Sequence, residues 1–219
     1  MPDKLAGMNW DSDPSKKRGY HHGNLREALI EAALRLIGEK GPAGFTVAEA
    51  ARAAGVSPAA PYRHFRDRDE MMADIARRGF ESFAARLRKA WDGGKPDAGE
   101  AFQRVGRAYL AFAREEPATY SAMFESGLSF SSQPALHAAS EQAFAVLREA
   151  CEAVIAGMPG PKKPPGLMVA LHIWAQSHGI ASLFARGDAA RRPVPMSPED
   201  LLEASVLIYL DGLKLAAKT

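Results

Sequence analysis

The chain has 219 residues, of which 47% are hydrophobic and 25% are charged, and its formal net charge is +2. These values are typical of a soluble globular protein that folds over nearly its whole length, and they exclude a largely disordered or fibrous chain. The single cysteine, Cys151, cannot form an intrachain disulfide and has no metal-ligand pattern around it, so we expect a reducing, cytoplasmic location.

Residues 1–23 contain Pro, Gly, Asp, Ser and Lys without periodicity and predict a flexible basic arm. No apolar run follows the basic cluster at residues 16–18, so we expect no signal peptide. The cluster is either a solvated tail or an arm that contacts DNA through Lys17 and Arg18. His21 and His22 are adjacent and do not share a helix face, which argues against a metal site.

Residues 24–68 predict a small helical domain. An apolar repeat at helical spacing begins at Leu25 and stops before Gly41-Pro42. Thr46 can cap a second helix, and Glu49, three residues later, completes a capping box.

The second and third helices of this domain are predicted to form a helix-turn-helix. Alanines dominate the apolar face of the second helix and allow close approach, and Gly55 can adopt a left-handed conformation at the turn. Ser57-Pro58 then begins the third helix as its N-cap and first residue. Such a unit presents its last helix outward, and a helix of this size fits the major groove of DNA.

The charge distribution agrees with this assignment. Between Lys16 and Arg68 there are ten cationic and five acidic side chains, so this stretch carries about +5 while the rest of the chain is near neutral or acidic. A basic domain suits a polyanionic partner. The predicted DNA contacts are Lys17, Arg18, Thr46, Ser57, Pro58, Ala59, Ala60, Tyr62, Arg63, His64, Arg66 and Arg68.

These residues have different expected roles. Arg63 and His64 are the polar readers of base edges, and the short side chains of residues 58–60 offer apolar contact, for example to a thymine methyl group. The side chains around these residues that are expected to bind phosphates are Tyr62, Arg66 and Arg68. The backbone amides at the start of the helix capped at Thr46 are expected to bind phosphate as well.

Residues 69–219 predict a long linking helix and a second helical domain. The linking helix is capped by Asp67 and reaches Trp91. Further helical repeats follow, and no segment alternates with the period of a strand, so the chain is predicted to be all-α. The most apolar stretch, Leu167 to Phe184, contains His172, Gln176, Ser177 and His178, so we expect no membrane span.

The stretch from Thr46 to Phe65 resembles the DNA-binding domain of the tetracycline-repressor (TetR) family, through its Gly-Val-Ser and Tyr-Arg-His-Phe patterns. The match runs from about Leu25 to Leu87. The resemblance implies that helices two and three read DNA, that helix four transmits ligand state, and that the last two helices form a two-fold dimer. Many members of the family have a glycine near the position of Ala60, whereas this chain has Ala60 followed by Pro61. We expect Pro61 to straighten or shorten the reading helix.

A second resemblance concerns the C-terminal domain. Trp174 with His178-Gly179, after an arm of the form Gly-Tyr-His-His-Gly-Asn-Leu at residues 19–25, looks like the TetR subgroup named for a Trp-His-Gly pattern. The resemblance implies a small apolar or amphipathic ligand. The predicted ligand contacts, which could also be ordinary core residues, are Phe102, Tyr109, Tyr120, Phe124, Phe144, Trp174 and His178.

Together these features predict a cytoplasmic, homodimeric transcription regulator without cofactor or metal, most simply a repressor released from a palindromic double-stranded DNA operator by a small-molecule effector. Activation remains an alternative direction. The sequence has none of the nucleophile-elbow, nucleotide-binding or zinc-protease motifs, so an enzyme is not expected. Two other classes stay open: a helical small-molecule-binding protein or enzyme with a vestigial helix-turn-helix, and a nonspecific architectural DNA binder.

Overall fold

The computed structural model describes residues 25–161, 163–185 and 195–216, and the predicted arm with Lys17 and Arg18 lies outside them. The all-α prediction is confirmed, since every regular element in these residues is helical. The α-helices are α1 (Leu25–Lys40), α2 (Val47–Ala53), α3 (Arg68–Trp91), α4 (Ala98–Glu115), α5 (Pro117–Phe124), α6 (Pro134–Ala156), α7 (Gly166–Ala185) and α8 (Pro198–Ala216). Short 3-10 turns are formed by Ala60–Arg63, Asp92–Gly94 and Phe130–Ser132.

Local chemistry fixes the start and end of α2 as the sequence predicts. The amide of Glu49 donates to Oγ1 of Thr46 at 3.2 Å, and the amide of Thr46 donates to Oε2 of Glu49 at 2.8 Å. Gly55 has φ of +73°, a conformation that glycine adopts without steric cost. The capping box and the tight turn are therefore confirmed.

The element after the turn differs from the helix expected to begin at Ser57-Pro58. It is a single 3-10 turn, Ala60–Arg63. An α-helix would need an amide at residue 61 to donate to the carbonyl of Ser57, but Pro61 has no N–H. The amide of Ala60 donates to that carbonyl instead, at 3.0 Å. The expectation that Pro61 shortens the reading helix is confirmed.

Helix α3 joins two hydrophobic cores. Asp67 caps it by accepting from the amide of Glu70 at 2.8 Å, as the sequence predicts. Near its start, residues 71, 72 and 75 pack with α1 and α2 in the smaller core. Further along, residues 80, 83 and 87 pack in the larger core against α4 and α6. The smaller core thus extends beyond the predicted boundary at residue 68, and one continuous helix contributes to both.

The remaining helices enclose the larger core. Helix α6 lies along α3, and α4 contacts α3, α6, α7 and α8. Ser197 caps α8 by accepting from the amide of Asp200 at 3.0 Å. By length and composition alone the segment Gly166–Phe184 of α7 could cross a membrane, and about a third of it (33%) is buried within the chain. The same test is passed by core helices of soluble proteins, so it is weak evidence for a span.

Candidate DNA-binding surface and ligand cavity

The segment after the helix-turn-helix turn is largely exposed and is anchored by a buried aromatic residue. Phe65 is 1% exposed and packs in the smaller core, whereas the side chain of Tyr62 is 59% exposed. Arg63 is also exposed, and so are Ser57, Pro58 and Ala59, while Ala60 and His64 are half-buried. The structure therefore brings the predicted base-reading residues together on one short, largely exposed segment.

The predicted phosphate-binding arginines beside this segment have different environments. Arg66 is exposed and makes an ion pair with its neighbour Asp67 at 3.2 Å. Arg68 instead donates from Nε to the carbonyl of Phe45 at 3.1 Å and from its terminal nitrogen to the carbonyl of Pro42. Its guanidinium also lies 5.1 Å from the Phe45 ring centroid. Arg68 therefore holds the turn before α2, a structural role that the sequence analysis missed.

Thr46 is engaged within its own capping box. Its hydroxyl lies 2.9 Å from Oε2 of Glu49, whose other carboxylate oxygen accepts from Nζ of Lys40 at 2.8 Å. The hydrogen bond from Lys40, followed by those from Thr46, lowers the pKa of Glu49 to about 2. The negatively charged carboxylate of Glu49 therefore lies beside Thr46. The predicted contact between Thr46 and a DNA phosphate stays a prediction.

A cavity of about 680 Å³ lies inside the larger helical domain. Its volume falls in the range of sites for drug-sized ligands. Six of the seven predicted ligand residues line it: Phe102, Tyr109, Phe124, Phe144, Trp174 and His178. The seventh, Tyr120, lies behind the wall, where it contacts His178.

Aromatic side chains that the sequence analysis did not select complete the wall. Phe80 and Phe83 come from α3, and Phe130 comes from the 3-10 turn before α6. Phe80 meets both Phe124 and Phe130 edge-on, with ring centroids 5.3 and 6.0 Å apart. The helical periodicity of α3 marks Phe80 and Phe83 as buried, but a cavity wall and a closed core produce the same pattern.

A chain of polar groups lies against the cavity. The hydroxyl of Tyr120 lies 2.7 Å from Nδ1 of His178, and the hydroxyl of Tyr109 lies 3.3 Å from both of these atoms. The indole ring of Trp174 lies beside this cluster, with its centroid 6.1 Å from that of the His178 ring. Burial raises the pKa of Tyr109 well above its ordinary value and raises that of Tyr120 to about 12. Both phenols are therefore protonated and uncharged at neutral pH.

The last two helices also carry exposed apolar side chains that do not line the cavity. Leu167 and Leu183 are 53% and 43% exposed on α7, and Ile208 is 75% exposed on α8. Exposed apolar residues concentrated on two adjacent helices are typical of a protein interface. This face is the one that the sequence assigns to the dimer.

An exposed helix-turn-helix unit, joined by one continuous helix to a helical domain that contains a cavity, is the arrangement of a DNA-binding transcription regulator. Two family models match consecutive parts of the chain: bacterial regulatory proteins of the tetR family at residues 29–75, and the tetracyclin repressor-like C-terminal domain at residues 102–208. The chain belongs to the TetR family.

Individual relatives agree with this assignment to different extents. The HTH-type transcriptional regulator BetI of Rhizobium meliloti (strain 1021) is 45% identical over 47 residues, which cover 22% of this chain and only 23% of BetI. A structure of a protein of unknown function from Rhodococcus sp. RHA1 has a TM-score of 0.73 and 29% identity, covering 90% of this chain and 100% of that one. The TetR family transcriptional regulator PfmR of Thermus thermophilus has a TM-score of 0.60 and 25% identity, covering 84% and 98%.

Proposed function

We propose that the chain is a cytoplasmic, homodimeric repressor that binds a palindromic DNA operator and is released by a small apolar or amphipathic effector. The observation that carries this proposal is the double role of α3, which supplies Met71 and Ile75 to the core beneath the helix-turn-helix and Phe80 and Phe83 to the cavity wall. A change at the cavity wall can therefore displace the DNA-binding domain without an intermediate element.

In the proposed mechanism the dimer holds two reading segments about 34–36 Å apart, one turn of the DNA helix, over the two halves of the operator. The effector binds more tightly to a conformation in which α3 is tilted. Because a ligand shifts an equilibrium only by its difference in affinity for the two states, the tilted dimer accumulates as effector is added. Its reading segments no longer match the spacing of the half-sites, and the repressor dissociates.

Two variants test the DNA-binding half. We expect Arg63→Ala and Tyr62→Ala to weaken binding to the DNA that flanks the protein's own gene by about tenfold or more, since a side chain that contacts a base or phosphate is lost. Arg88→Ala is the matched control, because Arg88 is equally cationic and exposed but lies near the far end of α3. Unchanged affinity and salt dependence in the first two variants would refute the assignment.

A competition assay separates the proposal from the two alternatives. A regulator prefers its operator over random duplex of the same length. A small-molecule-binding protein or enzyme with a vestigial helix-turn-helix would bind both duplexes weakly and lose both equally as salt rises. An architectural DNA binder would bind both tightly and would not respond to any effector.

The effector-binding part and the dimerisation part of the proposal can each be refuted separately. Trp174→Ala and Phe144→Ala change two residues that line the cavity and are expected to abolish the effector response while leaving operator binding intact. A retained response would show that the cavity is not the effector site. Ile208→Glu places a charge on the proposed dimer face and is expected to give a monomer by light scattering, with loss of operator binding. A monomeric parent protein would refute the dimer.

A further inference from the structure

The charged groups around the cavity lie at its edges and are mostly acidic. Among the residues that line it, the formally charged ones are Arg107, Glu141, Glu199 and Glu203. Arg107, Glu141 and Glu203 are exposed to solvent, and Glu199 is paired with Arg114 outside the lining, at 2.7 Å. The charged part of the lining thus consists of three carboxylates and one guanidinium, and three of these four groups are exposed to water.

The deeper polar groups include two uncharged phenols. Tyr109, Tyr120 and Trp174 offer hydroxyl and indole groups, and Nδ1 of His178 lies 2.7 Å from the hydroxyl of Tyr120. A ligand group that enters this polar cluster can form neutral hydrogen bonds there. An anionic group would lose its hydration and lie in a cavity whose lining carries three carboxylates, which is strongly unfavourable in an apolar site.

The apolar walls of the cavity combine aliphatic side chains with aromatic ones. Six of the ten phenylalanines in the chain line the cavity, together with Trp174 and Tyr109. Ring edges and faces point in several directions, as the edge-on contacts of Phe80 with Phe124 and of Phe83 with Tyr109 show. Such walls favour a ring-containing ligand, because ring pairs in edge-on or offset geometry gain energy beyond the area that they bury.

We propose that the cavity selects an uncharged aromatic ligand that carries a hydroxyl or carbonyl group, and that it rejects a carboxylate of the same shape. The ring system lies among the phenylalanines, and the polar group hydrogen-bonds at Tyr109 and His178. This inference rests on the proposed effector-binding role of the cavity and narrows the effector to one chemical class.

A matched set of probes tests the selection. Isothermal titration at pH 7 is carried out with 1-naphthalenemethanol, 1-naphthylmethylamine and 1-naphthoate, which share a ring system and carry a neutral, a cationic and an anionic group. We expect the alcohol to bind most tightly and the carboxylate at least about tenfold more weakly. The aliphatic 1-decanol, which has the same polar group, is expected to bind more weakly than the aromatic alcohol.

The outcomes separate this inference from the proposed function. Tighter binding of either charged probe, or of decanol, overturns the ligand class but leaves an effector cavity in place. Binding of none of the probes overturns both the ligand class and the effector half of the proposed function.

Two variants locate the polar contact. Tyr109→Phe is expected to weaken binding of 1-naphthalenemethanol about fivefold, the value of one hydrogen bond, and to leave binding of 1-methylnaphthalene unchanged. Tyr209→Phe removes a hydroxyl from a tyrosine that does not line the cavity and should change neither probe. Equal losses for both probes in Tyr109→Phe would indicate a change of cavity shape and would overturn the assigned hydrogen bond.

Discussion

Oδ2 of Asp74 lies 3.3 Å from a terminal nitrogen of Arg26, and this ion pair joins α3 to α1. The same guanidinium donates to the carbonyl of His64 at 3.3 Å and lies 4.6 Å from the Phe65 ring centroid. Arg26 therefore connects the reading segment with the helix that forms the cavity wall. Because Asp74 is only 8% exposed, the position of its carboxylate is closely constrained by the packing around it.

Asp74→Asn is expected to lower the free energy of unfolding by about 1–2 kcal/mol. Loss of one partner from a buried ion pair costs about 3–5 kcal/mol, but the arginines around Asp74 are partly exposed and water compensates them. Urea unfolding at pH 7 measures the difference. Glu81→Gln is the control, because Glu81 also pairs with Arg77 but is exposed, so its loss should cost less than about 0.5 kcal/mol. Equal losses in the two variants would contradict this account.

The same carboxylate predicts a pH dependence of stability. Burial raises the pKa of Asp74, but the hydrogen bond from Arg77 and the charges of Arg78 and Arg26 outweigh it, so the pKa lies below its ordinary 3.8. The stabilisation of the fold by the ionised carboxylate of Asp74 is therefore complete above about pH 4 and is lost as pH falls through the lowered pKa. We expect the difference in stability between the parent protein and Asp74→Asn to be constant from pH 7 to 5 and to shrink below pH 4. A difference that grew in acid would refute the assignment.

Substitution of Arg66 is expected to lower DNA affinity, whereas substitution of Arg68 is expected to lower the stability of the fold. Arg66→Ala removes an exposed cation beside the reading segment, so we expect weaker DNA binding regardless of sequence and a decrease of about one in the salt-dependence slope. Arg68→Ala removes the donor to two backbone carbonyls and should cost about 1–2 kcal/mol of folding free energy. Fluorescence anisotropy at several salt concentrations and urea unfolding measure the two effects. If Arg68→Ala weakened DNA binding and left stability unchanged, Arg68 would be mainly a DNA contact.

Gly79→Ala is expected to destabilise the protein by about 1–3 kcal/mol, through overpacking between α3 and α5. A Cβ atom at residue 79 would lie 2.7 Å from Sδ of Met123 and 2.8 Å from Cγ2 of Thr119. Gly38→Ala is the matched control on α1, where the nearest atom, Cβ of Ala118, lies at an ordinary 3.9 Å. Because alanine is the better helix former, we expect the control to gain about 0.5–1 kcal/mol in thermal or urea unfolding. A stabilised Gly79→Ala variant would show that the two helices can separate easily.

Cys151 is expected to react slowly with thiol reagents in the folded protein. Burial raises its pKa to about 12, and the residue is 1% exposed, so little thiolate forms and a reagent cannot reach it. Absorbance with Ellman's reagent at about pH 7.5 should show negligible fast labelling, and complete labelling of one thiol per chain in guanidinium chloride. Rapid labelling of the folded protein would instead indicate a redox-accessible cysteine.

Features that depend on neighbours in the chain were predictable from the sequence. The capping box of Thr46 and Glu49, the cap at Asp67 and the left-handed Gly55 all follow from interactions within a few residues. Pro61 limited the reading helix because a missing N–H acts locally. These elements, with the helical periodicity, determined the all-α fold and the helix-turn-helix.

Only the tertiary structure decided which distant residues meet. Periodicity shows that Phe83 and Tyr120 face inward, but a buried face carries no information about what lies opposite it, so one lines the cavity and the other lies behind its wall. The partner carbonyls of Arg68 lie more than twenty residues away, and the partner of Arg26 lies on another helix. These pairings arise when helices pack and bring separate parts of the chain together, and sequence spacing alone does not encode that geometry.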